Sequence, residues 1–171
     1  MKNEANAYYK SPIGVIRITS NTRGITSLYF VNNEDYVENP IHRSIPEILE
    51  ECVHQIHEYF SGKRRTFTIK LALEGTNFQK EVWKELKSIP FGKTCSYLDI
   101  ATKLGKKNGS RAVGNANGQN PISIIIPCHR VIGSDKRLVG YGGGKWRKKW
   151  LLEHEQSVLW NSKYGKKTTK R

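Results

Sequence analysis

Cys128 is the side chain of this sequence best suited to covalent chemistry. It follows an apolar run, Ile122–Ile126, and a proline, and it precedes a histidine and an arginine: Ile126-Pro127-Cys128-His129-Arg130-Val131. A thiolate is the reactive form of cysteine, and a neighbouring cation or histidine base makes it easier to form. The other two cysteines, Cys52 and Cys95, read as small core hydrophobes. Cys52 stands near His54 and His57, but one thiol and two histidines fall short of a structural zinc set. No metal and no cofactor are expected.

The elements that must carry Cys128 follow from pattern and punctuation. Gly14–Ser20 and Ile25–Val31, joined by Asn21-Thr22-Arg23-Gly24, predict an antiparallel hairpin. An amphipathic helix is predicted at about Pro46–Phe60, stopped by Gly62, and Thr66–Leu73 alternates as a further strand. Thr76 and Gln79 have capping-box spacing and open a helix carrying Phe78, Val82, Trp83 and Leu86. Ser96 starts a short helix closed by Gly105, and Ser110–Gly118 reads as a second. Together they make a helix-turn-helix candidate. A β-rich run over Ile122–Ile126 leads to Cys128. A glycine-rich loop, Gly140–Gly144, then precedes a helix from about Lys145 to Glu155.

Charge points to the partner. The 171 residues carry 29 Lys and Arg against 15 Asp and Glu, a formal net charge of +14. Residues 1–60 hold 5 basic and 8 acidic side chains, whereas residues 61–171 hold 24 and 7. Such a field calls for a polyanion, nucleic acid first and an anionic membrane second. No apolar stretch approaches the ~18–20 residues that span a bilayer, no basic amphipathic helix has a clean apolar face, and Met1–Lys10 lacks the layout of a signal peptide. Three cysteines without a CxxC pair fit a reduced, cytoplasmic protein, or a nuclear one in a eukaryote.

The motif around Cys128 resembles the active site of the O6-alkylguanine-DNA alkyltransferases, the methylated-DNA–protein-cysteine methyltransferases. Phe78–Val82-Trp83, Ile89-Pro90-Phe91-Gly92, Ser96-Tyr97, Arg111-Ala112-Val113-Gly114, Asn120-Pro121, Gly140-Tyr141-Gly142-Gly143 and Trp150–Glu155 recur in that family's order. The likeness is strong over about 76–155.

The resemblance implies an α/β (α+β) fold. Residues 1–74 would form an antiparallel sheet with a helix, and 75–160 a mainly helical domain with the helix-turn-helix and the acceptor cysteine. Residues 161–171 would form a basic, disordered tail. The resemblance further implies that Cys128 accepts an alkyl group, that His129 serves as its base through a water, and that Glu155 polarises the imidazole. Asn120 would tie the active-site turn to the helix-turn-helix. Tyr97 would donate to the base, Arg111 would fill the vacated stack, and Ser96, Ala112, Gly114 and Arg130 would join the DNA contact. Val131, through its carbonyl, with Tyr141, Gly142 and Gly143, would line the pocket.

The expected partner is double-stranded DNA carrying O6-alkylguanine, met by a monomer that turns over once, with O4-alkylthymine as a second substrate. Gly142 would leave room for groups larger than methyl. A DNA-binding relative without chemistry is the nearest alternative, and Cys128 argues against it. A cysteine hydrolase is disfavoured because adjacent residues on an extended chain point to opposite sides.

Overall fold

The computed structural model describes residues 4–36 and 45–165. Three antiparallel strands form the first layer in the order β1 (Ala5–Ser11), β2 (Gly14–Asn21), β3 (Gly24–Val31). The β2–β3 hairpin is the predicted one. The first strand has no clear alternation in Ala5-Asn6-Ala7-Tyr8-Tyr9, but it pairs with β2 along its whole length, from Ala5 opposite Ser20 to Ser11 opposite Gly14. Helix α1 (Glu47–Phe60) covers the sheet, and Leu49, Cys52, Ile56 and Tyr59 are buried on it. Burial pushes the Cys52 thiol up to about 12, as expected of a packing residue.

Thr66–Leu73 does not form the expected strand. It meets β3 at a single parallel bridge, Ile25 to Leu71, where Ile25 N–H donates to Lys70 O at 2.9 Å and Ala72 N–H donates to Ile25 O at 2.8 Å. The rest of that edge is occupied from elsewhere. Three residues further along β3, Leu28 N–H donates to Pro121 O at 2.9 Å and Leu28 O accepts from Ser123 N–H at 3.1 Å. One strand edge therefore holds both the connection out of the sheet and the start of the run leading to Cys128.

Helix α2 (Asn77–Ser88) begins at the predicted capping box of Thr76 and Gln79, and Val82, Trp83 and Leu86 are buried along it. Trp83 Nε1–H donates to Ala116 O at 2.9 Å and so fixes α2 against α4. A two-residue strand β4 (Cys95–Ser96) leads into α3 (Tyr97–Lys103), which opens on a second capping box, Ser96 with Asp99. Helix α4 (Ser110–Gly118) packs on both α2 and α3 and completes the helix-turn-helix. Strand β5 (Val131–Ile132) pairs with β4 in parallel.

Two further expectations are corrected. The run Ile122–Ile126 is a compact turn rather than a strand. Ile126 N–H donates to Ile122 O at 3.0 Å, and Ile124 lies at φ +72°. A β-branched residue in that region is strained, and full burial of the Ile124 side chain offsets the cost. The last helix, α5 (Lys145–Tyr164), runs well past Glu155 because no glycine or proline intervenes before Gly165. Residues 161–164 are thus helical, and the remainder of the basic tail, 166–171, lies outside the described residues. The buried side chains of sheet, α1, α2, α4 and α5 form one continuous cluster.

Candidate active site

Cys128 opens a short 3-10 turn, Cys128–Arg130, at the end of the Ile122–Ile126 turn. Asn120 clamps that turn from both sides. Its Oδ1 accepts from Ile122 N–H at 3.0 Å, and its Nδ2 donates to Ile126 O at 2.8 Å. Cys128 is only 5% exposed. Burial raises its pKa, against the Asn120 side chain, the Lys148 charge and nearby backbone N–H groups, so at neutral pH it rests as a thiol.

Glu155 lies beneath the turn with no exposure at all. Its carboxylate accepts from His129 Nε2 at 2.7 Å, from Arg130 Nε and an η nitrogen at 3.0 Å, from Tyr59 Oη at 2.9 Å and from Gly92 N–H at 2.7 Å. Burial pushes Glu155 up, but its hydrogen bonds with His129 and Arg130 and the charge of Arg130 overcome this and hold it at about 2. His129 is also fully buried, and desolvation lowers its pKa despite Glu155, leaving the ring neutral. With Nε2–H committed to the carboxylate, Nδ1 is the free acceptor, and it has no partner among the described residues.

Arg130 does not belong to a DNA-facing surface. It is 5% exposed, chelates Glu155 and donates to Ile89 O at 2.7 Å, with the Phe91 ring 5.6 Å away. A buried carboxylate needs a permanent cation, and this one is consumed by that need.

Sequence reasoning missed Lys148. It is fully buried, and its Nζ donates to Val131 O at 2.5 Å, Val139 O at 2.8 Å and Gly140 O at 3.2 Å. Burial brings its pKa down to about 8, and Cys128 opposes the fall. Nothing in the local run from Lys145 to Lys149 distinguishes it. The signal was helical spacing: Lys148, Leu151 and Glu155 are the three buried residues of α5 and share one face. Val131 is fully buried and does not line the pocket, and its carbonyl is already engaged by this lysine.

The pocket beside Cys128 has a volume of about 220 Å³. Tyr141, Gly142 and Gly143 line it as expected, together with Asn120. Tyr29 and Phe30 of β3 and Asn117 of α4 line it unexpectedly. Gly142 has open space where a Cβ would stand, whereas a Cβ on Gly143 would come within 2.7 Å of the Tyr141 ring and 3.0 Å of Phe30. Arg147 holds this loop to the sheet by donating to Gly143 O at 2.7 Å and Ile13 O at 2.8 Å, with its guanidinium 4.7 Å from the Phe30 ring centroid.

The helix-turn-helix presents the remaining candidates. Tyr97 is half-buried and its hydroxyl donates to Val139 O at 3.1 Å; burial raises its pKa, and Cys128 adds to the rise. Ser96 caps α3 by accepting from Asp99 N–H at 3.0 Å. Arg111 and Ala112 are exposed at the start of α4, and a Cβ on Gly114 would stand 3.8 Å from the Tyr97 ring.

The profile described as "6-O-methylguanine DNA methyltransferase, DNA binding domain" matches residues 77–157, and that of the "ribonuclease-like domain" of the same proteins matches 5–73. The chain belongs to the methylated-DNA–protein-cysteine methyltransferase family. A member from Methanosarcina barkeri is 47% identical over 151 residues, covering 88% of this chain and 96% of the relative. The constitutive member of Bacillus subtilis is 39% identical, covering 90% and 96%. The crystal structure of the Mycobacterium tuberculosis O6-methylguanine methyltransferase superposes with a TM-score of 0.79 at 40% identity, over 91% of this chain and 94% of that one. A structure of the same protein in complex with DNA gives 0.78 at 42% identity, over 88% and 92%. This methyltransferase chain has the mixed α/β fold that the resemblance implied.

Glu155→Gln leaves Arg130 buried without its counter-charge, and urea unfolding at pH 7 should show a loss of about 3–5 kcal/mol. Glu155 ionises at about 2 in the folded chain and at ~4.3 when unfolded. Its contribution is therefore complete above the unfolded value and is lost as pH falls through the folded one. The stability gap between wild type and variant should narrow across that acidic window.

Proposed function

We propose that this methyltransferase repairs duplex DNA by extruding an O6-alkylguanine and taking its alkyl group onto Cys128 Sγ, once per molecule. O4-alkylthymine is the second substrate of the same chemistry. The observation that carries the reading is the buried thiol at a 220 Å³ pocket, beside a neutral His129 whose Nδ1 is unpaired and whose Nε2–H is held by Glu155.

The Cys128 and His129 side chains are adjacent but do not hydrogen-bond each other, so a water carries the thiol proton to Nδ1. Glu155 stabilises the imidazolium that forms. The sulfur then attacks the alkyl carbon as the carbon–O6 bond breaks. Tyr97 protonates the departing base, whose charge would otherwise oppose departure. The product is a thioether, which offers no ready leaving group. One equivalent per protein follows.

Extrusion costs a few kcal/mol of unstacking. Exposed Arg111, at the start of α4, is assigned to the place the base vacates, while the small Ala112 and Gly114 let α4 approach the duplex closely. The excess of basic residues over 61–171 supplies the phosphate contacts, and affinity accordingly falls with salt.

Intact mass after incubation with DNA carrying O6-methylguanine should rise by one methyl group, on the Cys128 peptide only, and Cys128→Ala should bind DNA without transfer. Repeated turnover would defeat the proposal. Arg111→Ala should slow transfer from duplex DNA by about tenfold or more while leaving transfer from free alkylguanine base unaffected, since an equal loss on both would remove its role in extrusion. The space beside Gly142 admits groups larger than methyl, so wild type should accept O6-benzylguanine and Gly142→Leu should lose it selectively. Equal preferences in the two proteins would refute this.

A further inference from the structure

The loop that walls the acceptor pocket has almost no side chains with which to hold itself. Four of the five residues Gly140–Gly144 are glycine, and an unpinned glycine backbone samples many conformations. The loop is held instead by its carbonyls, from two consecutive residues in the first turn of α5. Lys148 takes Val139 O and Gly140 O at the near end, and Arg147 takes Gly143 O at the far end. The two cations are anchored in different places. Lys148 is tied to Val131 O beside the active-site turn, whereas Arg147 reaches 134 residues back along the chain to Ile13 O at 2.8 Å.

Ile13 gives that anchor a firm base. It is buried in the β1–β2 turn, where Ser11 Oγ donates to Gly14 O at 2.6 Å and accepts from Ile13 N–H at 3.2 Å. The guanidinium also lies 4.7 Å from the Phe30 ring centroid and 4.5 Å from that of Trp146, within the range of cation–π attraction. Gly143 and Phe30 already meet closely, because a Cβ on Gly143 would come within 3.0 Å of the Phe30 ring. Both residues line the pocket with Cys128. One side chain thus bonds the loop, bonds the sheet and lies against the ring on which the loop rests.

We propose that Arg147 is a positioning residue for alkyl transfer: by drawing Gly143 onto Phe30 it makes the N-terminal sheet a wall of the acceptor pocket and sets the width open to the alkyl group. This rests on the function proposed above. A planar fork of donors suits the task, because it can bond two carbonyls at once and still lie against a ring. Without it, Gly143 separates from Phe30 and the pocket widens. A methyl-bearing substrate cannot fill the added space and loses its contact with the wall. A benzyl group occupies that space and restores the contact.

Single-turnover transfer from duplexes carrying O6-methylguanine or O6-benzylguanine reads the width. Arg147→Met, close in length and without donors, should raise the benzyl-to-methyl rate ratio by about tenfold, the worth of one charge-assisted hydrogen bond. Arg147→Lys keeps the charge but not the fork, so it should raise the ratio too, and it serves where the methionine does not fold. Phe30→Leu should act in the same direction, and adding Arg147→Met to it should change little. A general loss of rate or of DNA binding cancels in the ratio. Amide exchange at Gly144, whose N–H donates to Tyr141 O at 2.9 Å, should quicken in both Arg147 variants while the β2–β3 amides keep their protection. An Arg147 variant with the wild-type ratio, or with unchanged exchange at Gly144, overturns the proposal. A wild type that transfers from neither substrate strikes the function instead, and the exchange then decides whether Arg147 holds the loop.

Discussion

The Glu155 carboxylate is the point through which the rest of the molecule is connected. It joins α5 to α1 through Tyr59, to the loop after α2 through Gly92, and to the active-site turn through His129 and Arg130. A buried carboxylate is tolerated only when its lone pairs and its charge are both met. Meeting them here fixes four segments distant in sequence. The same arrangement holds His129 in the tautomer that leaves Nδ1 open, so the group that organises the fold also sets the protonation of the site.

Most of the elements were legible because they are written locally. Thr76 with Gln79 announces α2, and Gly24 with the polar residues at 21–23 announces the hairpin. The site was legible in part, through the motif around Cys128 and the family resemblance it carries. What escaped is what local patterns cannot encode. Ile122–Ile126 has the composition of a strand, but the Asn120 clamp and the two bonds from Leu28 bend it into a turn. Arg130 was expected at the DNA contact and Lys148 was not singled out, yet both are buried because carboxylate and carbonyl oxygens elsewhere in the fold require cations. Tyr29, Phe30 and Asn117 reach the pocket only through tertiary packing.

The N-terminal sheet is part of the site's architecture. The edge of β3 holds Pro121 and Ser123 at Leu28, its end carries Phe30 into the pocket wall, and Arg147 bridges Ile13 to Gly143 across the Phe30 ring. Charge partitions the chain into an acidic first part and a basic remainder, but the core does not follow that division. Strain at Ile124 is held by this shared packing, which explains why a conformation costly to a β-branched residue persists just upstream of Cys128.

The burial of Cys128 bears on how such a protein survives the conditions that make it necessary. Susceptibility of a cysteine to peroxide and to small electrophiles follows thiolate character and solvent access. A sulfur at 5% exposure whose pKa burial has raised is low in both. Free alkylating agents in the surrounding solution would find the exposed nucleophiles of the surface before this one. In the reaction proposed for it, which spends the side chain once, burial keeps Cys128 from casual consumption and releases its reactivity where a substrate fills the pocket and the proton has somewhere to go.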